Sequence, residues 1–450
     1  MSEKKPNGWR RLDNAAKIFP STSEKTDTRV FRFSCELTEP VDPETLQKAA
    51  DKAIKDFPHF LSIMKKGWFW YYLENCDLPL IVHEENRAPC SQLYFPGRKN
   101  LLIDISYYRC RINLEIYHVL SDGTGAVQFL KTLVCCYLTM LHGDEWEKRP
   151  IIDYDASRTE RSADSFQKYY SKVKGEKRKR VRRAYNIKGE KRETEDLRMI
   201  EGITSVKEAI AVAHSFNTTL TVYLTAVFIK AIHEEMTLSK QKYPLVLMVP
   251  VNLRNYFSSE TATNFFGMIA VKYDFKTQPD DFSSIIEAVS ETFKTELTKE
   301  RLSVRMNELA ALEHNPFVRI APLGFKNICL KAARHIKDYG ETAVVSNIGR
   351  IKMPEQLLPY IRMFDVFVST LKIQLQLCSF EDKLALCFSS AFTSSDIERR
   401  FFRKLAEHGL NIEIRCSDID ELPESPEEEA LPEESGDIPE EKSDEISEES

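Results

Sequence analysis

The sequence predicts a mixed α/β fold, and three observations lead there. Stretches of alternating apolar residues such as "VFRFSCELTEP" read as strands, because residues two apart share one face of a strand. Between them lie runs with apolar residues three and four apart, the spacing of one helix face. Both patterns occur in both halves of the chain, and 450 residues suit two or three domains or one large two-lobed unit. Hydrophobic residues make up 42% and charged residues 29%, enough of each for a buried core and a solvated surface.

The elements follow in order. The N-terminal "MSEKKPNGWRR" is charged with no apolar run after it, so no signal peptide is expected. The first strand is "VFRFSCELTEP", about 30–40. In "VDPETLQKAADKAIKDFPHF", Asp42 can cap a helix and Pro43 suits its first turn. Leu46, Ala50, Ala53, Ile54 and Phe57 form its apolar stripe, and Pro58 ends it. A strand pair at 101–108 and 110–118 precedes a helix about 124–141, with Val127, Leu130, Val134, Tyr137 and Leu141 on one face. These make a first unit, 1–144.

Residues 145–195 read as a charged crossover linker. Its stretch "KVKGEKRKRVRRAYNIKGEKR", 172–192, has 11 basic and two acidic residues. A second unit, 196–416, holds the helices "SVKEAIAVAHSF" and "LTVYLTAVFIKAIHEE" and the continuous apolar run "PLVLMVPV", as expected of a strand buried on both faces. Further strand candidates are "FFGMIAVKYDF", "TAVVSNIG", "VFVSTLKIQLQLCSF" and "KLALCFSSAF", and a helix about 395–408 closes the unit. Residues 417–450 hold 16 acidic residues and one lysine with almost no apolar content, which predicts a disordered tail.

Charge and cysteine usage narrow the function. The net charge is −6, divided into +9 on the body and −15 on the tail, so the tail is expected to contact a basic surface such as 172–192. Lysine and arginine neutralise phosphates, but no aromatic-interleaved or helix-turn-helix pattern accompanies the basic run, and nucleic acid is not the expected partner. The longest strongly apolar segment, "LTVYLTAVFIKAI", is shorter than the roughly 20 residues a membrane span needs. The ten cysteines form no C-x-x-C pair, and Cys35, Cys110, Cys135, Cys378 and Cys387 lie in apolar patterns. They read as reduced core thiols of a cytoplasmic protein. No residues have zinc-ligand spacing; "HEEM" at 233–236 lacks the second histidine of a metalloprotease helix.

The chemistry-bearing stretch is "EIYHVLSDGTGAV", 115–127. Ile112, Leu114, Ile116 and His118 share one strand face, and Asn113, Glu115 and Tyr117 the other. His118 therefore points inward where the strand ends. Asp122 and Gly123 supply a turn, and Gly125 lets another backbone approach. A lone histidine on an apolar face is more often a core residue than a catalyst, so the neighbours decide. The spacing His-x-x-x-Asp-Gly between a strand and a helix resembles the CoA-dependent acyltransferase superfamily, with its chloramphenicol acetyltransferases, condensation domains, wax ester synthases and alcohol O-acetyltransferases. Three other stretches resemble it in the same order: "VDPETLQKAADKAIKDFPHF", "VPVNLRNYFSSETATNFFGM" and "VVSNIGRI". The last is of the type found in alcohol O-acetyltransferases and wax ester synthases. Many members have two histidines before the triplet; here the first is Tyr117.

The resemblance implies a chloramphenicol acetyltransferase-like fold of two lobes, each a mixed sheet packed with helices, with an active-site tunnel between them. It implies an acyl-CoA, such as acetyl-CoA, as co-substrate and a small alcohol as acceptor, with no permanently bound cofactor and no metal. His118 would be the general base of a direct transfer, consistent with the lack of a recognisable serine or cysteine nucleophile elbow. Asp122 would face away from the imidazole and pair with Arg254, and Gly123 would give backbone room. Asn264, Ser346 and Asn347 are candidates for oxyanion or substrate contacts. The basic 172–192 segment would help hold CoA phosphates or form a solvated helix. Two rivals remain: a condensation-type amide former using carrier-protein thioesters, and a non-catalytic interaction module of the same fold.

Overall fold

The computed structural model describes residues 8–154, 156–171, 183–193, 197–314 and 316–416. The acidic tail and residues 172–182 of the basic run lie outside the described residues.

Two large sheets organise the chain. The five-stranded sheet has the order Ile361–Val368, Val30–Leu37, Arg111–Tyr117, Ile103–Tyr108, Val82–Glu84, antiparallel except for its last pair. The seven-stranded sheet runs Phe266–Tyr273, Leu245–Asn252, Ala343–Arg350, Ile373–Phe380, Lys383–Ser390, Arg198–Ser205, Glu413–Cys416. Leu245–Asn252 and Ile373–Phe380 each pair in parallel with Ala343–Arg350, and the remaining pairs are antiparallel. A small sheet of Trp9–Arg11, Tyr71–Asn75 and Ser62–Lys66 stands apart.

Helices Pro43–Ala53 and Gly123–His142 pack together, and both touch the five-stranded sheet. Their sequence explains why. Leu46, Ala50, Ala53, Ile54 and Phe57 are all buried, as are Val127, Leu130, Val134 and Tyr137. Leu141, expected on that same face, is exposed near the helix end, beyond the rim of the sheet. The Asp42 carboxylate accepts from Thr45 N at 2.7 Å, capping the first helix, and Asp42 N donates to Tyr137 Oη at 2.8 Å, pinning the second. Among the described residues, Gly123–Glu145 is the one helical stretch long and apolar enough to cross a membrane, but more than half of it is buried within the protein. It is longer than the apolar run singled out from the sequence.

The second core lies around Leu220–Glu234, with Phe282–Glu296 and Asp396–Glu407 packed beside it. Each core is a layer of helix on sheet, which gives the molecule two lobes.

The run "VFVSTLKIQLQLCSF", expected as one strand, is two. Val366–Val368 completes Ile361–Val368 in the five-stranded sheet, whereas Ile373–Phe380 belongs to the seven-stranded one. The crossing is made by Ser369–Lys372, where Ser369 N bonds Val30 O, Ser369 Oγ accepts from Thr28 N, and Thr370 Oγ1 accepts from Lys372 N. Apolar character continues through the crossing because the strands on both sides are buried; the hydroxyls mark the break. The late chain thus lends a strand to the early lobe, and the two lobes interlock.

Candidate active site

The candidate site grows from the end of strand Arg111–Tyr117. Ile112, Leu114 and Ile116 are fully buried, and the next side chain on their face is His118. Its backbone N–H donates to Arg29 O at 2.9 Å. Arg29 has φ +58°, a left-handed conformation uncommon for a non-glycine residue. The ring is half-buried. Phe19 stacks on it at 4.5 Å between centroids, Phe31 meets it edge-on at 5.2 Å, and Phe266 lies at 5.5 Å.

One amide fixes the ring's tautomer. Asn264 Nδ2 donates to His118 O and to Asp13 Oδ2, each at 3.0 Å. The first partner can only accept, so Nδ2 must lie on that side and Oδ1 on the other. Oδ1 sits 3.0 Å from His118 Nδ1, which must then carry the proton. The lone pair is left on Nε2. Burial holds the imidazole pKa below its ordinary value, opposed first by the ring's bond to its own backbone and then by Asp122 and the Asn264 bond, so the neutral form is favoured. Asp13 supports the amide from behind: it accepts from Ala16 N at 2.8 Å and from Asn264 N at 3.3 Å, and burial pushes its carboxyl up to about 7.

Asp122 turns its hydrogen bonds elsewhere. Arg254 forks onto it, Nη1 to Oδ2 at 2.8 Å and Nη2 to Oδ1 at 3.2 Å. Phe265 N and Gly125 N supply two more donors, at 2.8 and 3.1 Å. The same guanidinium bonds Thr261 O, Thr263 O and Phe265 O, so it also shapes the loop that presents Asn264. Asp122, Arg254, the 261–265 loop, Asn264 and His118 form one connected structure across the lobes.

The close backbone approach falls on Gly125 more than on Gly123. A Cβ at Gly125 would lie 2.1 Å from Ala262 O and 2.4 Å from Ser121 Oγ. One at Gly123 would meet the tip of the Ile348 side chain at 2.9 Å, and that tip can move. Asn264 sits beside the histidine, but both ends of its amide are committed, so it orients the ring and is not spare for an oxyanion. Asn347 is exposed and donates to Thr221 Oγ1 at 2.8 Å, away from the histidine loop. Ser346 lies on the opposite face of that strand from Asn347, with Val344; Ile348 follows at a bulge, and its side chain reaches Gly123.

Asp13 and Phe19 were not found in the sequence. The segment around them shows no helix or strand period, and its one local signal is an acid set among Leu12, Ala15 and Ala16. Two cavities lie near the site. The larger, about 740 Å³, is lined by Leu12 and Lys17 among others, and a smaller one, about 230 Å³, by Asp27, Arg29 and Thr370. His118 lines neither. Among the described residues no group of three or more His, Cys, Asp or Glu side chains is placed to hold a metal ion.

No family model and no curated protein matches the sequence. Solved structures do match. Trichothecene 15-O-acetyltransferase of Fusarium sporotrichioides aligns over 89% of this chain and 94% of its own, with TM-score 0.56 and 11% identity. TRI101 of F. graminearum, crystallised with coenzyme A and T-2 mycotoxin, aligns over 90% and 99%, with TM-score 0.59 and 11% identity. The first condensation domain of the CDA synthetase aligns over 90% and 97%, with TM-score 0.59 and 14% identity. The chain therefore has the two-lobed, chloramphenicol acetyltransferase-like fold of these acetyltransferases and condensation domains.

Proposed function

We propose that the protein is an acyl-CoA-dependent O-acyltransferase that moves an acyl group, acetyl in the first instance, from the thioester to an alcohol. The observation that carries this is the fixed tautomer of His118, with a lone pair on Nε2 of a half-buried ring at the lobe seam. The acceptor oxygen attacks the thioester carbonyl carbon as its proton passes to Nε2. The tetrahedral intermediate then collapses, the C–S bond breaks, and the imidazolium returns the proton to the departing thiolate. A neutral imidazole suits this task, because an alcohol is too weak an acid to ionise alone near pH 7. Asn264 Oδ1, accepting from Nδ1–H, stabilises the imidazolium formed midway. The Ser346 hydroxyl is our candidate donor to the oxyanion. Asp122 and Arg254 position, and do not touch, the reacting atoms.

In this proposal acyl-CoA is a co-substrate, nothing is permanently bound, and a tunnel between the lobes leads to His118. The units 1–144, 145–195, 196–416 and 417–450 serve as first lobe, linker, second lobe and tail, except that Ile361–Val368 completes the sheet of the first lobe, and the tail contacts the basic 172–192 run. Ten cysteines without a C-x-x-C pair fit a reducing, cytoplasmic setting. Crystallisation of the structural neighbour TRI101 with coenzyme A and T-2 mycotoxin supports the choice of co-substrate.

The test is a CoA-release assay with acetyl-CoA against a panel of alcohols and amines, run beside His118→Ala. Turnover should fall about 10²–10⁴-fold, the range for a general base, with the melting curve unchanged. Near-wild-type turnover in the variant would end the proposal. A condensation-type amide former is the second reading, because the condensation domain matches with a TM-score as high as that of TRI101. Transfer from a carrier-bound donor to an amine, with none from acetyl-CoA, would decide for it.

A further inference from the structure

Helix Leu323–Asp338 is built the wrong way round for a helix on a protein surface. Its inward side is mostly polar. Lys326 Nζ donates to Phe69 O at 2.9 Å and to Arg319 O at 3.2 Å. Asn327 Oδ1 accepts from Ser21 Oγ at 2.9 Å, and its Nδ2 donates to Tyr71 Oη at 3.2 Å. Arg334 bonds Thr22 O and pairs with Asp27 at 2.7 Å. Its outward side is apolar. Phe325 is 62% exposed, Ile328 68% and Ile336 60%, and Cys329 and Ala332 are exposed with them. Positions 325, 328, 329, 332 and 336 follow the i, i+3, i+4, i+7, i+11 spacing of one helix face. A solvated helix normally shows the reverse arrangement.

The stripe is extended by a neighbouring element. Trp68, at the tip of the hairpin Ser62–Lys66 and Tyr71–Asn75, is 90% exposed, and its carbonyl accepts from Leu323 N at 3.0 Å. Phe69 beside it and Ile320 just before the helix are exposed too. Six large apolar side chains on three adjoining elements, the hairpin, helix Pro316–Ile320 and helix Leu323–Asp338, thus form one surface, more than scattered exposure accounts for.

Charge says what covers it. Residues 316–337 and 62–73 contain no aspartate or glutamate, although the chain as a whole is acidic. Exposed Lys331 and Lys337 lie on the two flanks of the stripe, and exposed Lys66 adjoins the tryptophan. An apolar stripe edged by lysines, with a tryptophan at its tip, matches an anionic bilayer: apolar groups enter the acyl boundary while lysine stems reach back to the headgroups. We infer that Trp68, Phe69, Ile320, Phe325, Ile328 and Ile336 form a peripheral docking surface for an anionic lipid membrane. Phe69 and Arg319 also line the larger cavity, so its mouth opens at this surface.

The experiment is vesicle flotation of the full chain. Wild type should float with mixed phosphatidylcholine–phosphatidylserine vesicles, less with pure phosphatidylcholine, and less at high salt. Trp68→Ser combined with Ile328→Ser and Ile336→Ser should lower partitioning at least tenfold. Replacing Lys66, Lys331 and Lys337 by glutamine should lower it about fivefold per residue. Trp68 needs no substitution to report: tryptophan emission should shift to the blue when vesicles are added, and the shift should shrink in Trp68→Phe. Failure of wild type to float, or unchanged flotation of the serine variant, overturns the inference. So does a wild-type dimer that the serine substitutions convert to monomer with no flotation, which would assign the surface to a second copy of this chain.

Discussion

Two ion-pair clusters join the lobes, and they are built to different standards. At the candidate site, both oxygens of Asp122 are met by the Arg254 fork and by backbone N–H groups. At the second cluster, Arg111 faces three carboxylates: Glu36 at 3.0 Å, Asp365 at 3.1 Å and Glu201 at 3.4 Å. Arg415 adds contacts to Glu36 at 2.8 Å and Glu201 at 3.9 Å, and Arg362 reaches Glu36 at 3.5 Å. Glu36, Arg111, Asp365 and Arg362 stand on the five-stranded sheet, and Glu201 and Arg415 on the seven-stranded one. Asp365 is fully buried with neither oxygen hydrogen-bonded, Glu201 Oε1 is also without a partner, and Cys35, Cys378 and Cys387 surround them. A saturated pair fixes geometry. An unsaturated, carboxylate-rich cluster must take up a proton instead, and burial together with Asp365 pushes Glu201 up to about 7.

The sharpest way to break this contrast is Arg254→Ala. It strands the Asp122 carboxylate and releases the loop that presents Asn264, so chemical denaturation should show a loss of about 3–5 kcal/mol, with activity falling further still. Retained stability would mean that the site pair is no more structural than a surface bridge. The second cluster should respond to pH. Folded Glu201 binds its proton more tightly than the unfolded chain does, so its contribution is complete at low pH. It is lost as pH rises through the window from the ordinary glutamate value of 4.5 to about 7. The loss is on the order of 2–3 kcal/mol between pH 5 and 8. Glu201→Gln should flatten that slope and stabilise the protein at pH 8. An unaltered slope would show that the cluster does not carry it.

The difference also explains what the sequence disclosed. His118, Asp122 and the glycines were legible because a strand, a tight turn and a helix start are local, and each restricts its residues to few types; Arg254 was legible only through the resemblance that its stretch "VPVNLR" carries. The contribution of Asn264 was not, because it depends on which backbone carbonyl the folded loop meets. The second cluster was hidden by its surroundings. Asp365 in "MFDVFV" and Glu201 in "MIEGIT" are single acids within strands, and nothing local shows that they converge across two sheets. Helix Leu323–Asp338 marks another limit: periodicity reveals that a stripe exists but not whether it faces the core. Polar partners on elements distant in sequence, Ser21, Tyr71 and Asp27, turned this one outward.

The smallest expected effect lies where the two standards meet. Asp13 is buried like the second cluster, yet it serves the site, accepting from Asn264 Nδ2 at 3.0 Å. Its folded pKa is raised to about 7, so it ionises in the pH range where the enzyme would work. An ionised Asp13 strengthens the bond from Nδ2 and, through the amide, favours the imidazolium that Oδ1 stabilises. kcat/KM should therefore rise through about pH 7. Asp13→Asn cannot ionise, and its single acceptor oxygen can serve Ala16 N or the amide but not both. It should remove that rise and lower kcat/KM at pH 8 about fivefold, the difference between a charged and a neutral hydrogen bond. A merely structural Asp13 would move the melting curve instead and leave the shape of the pH profile intact.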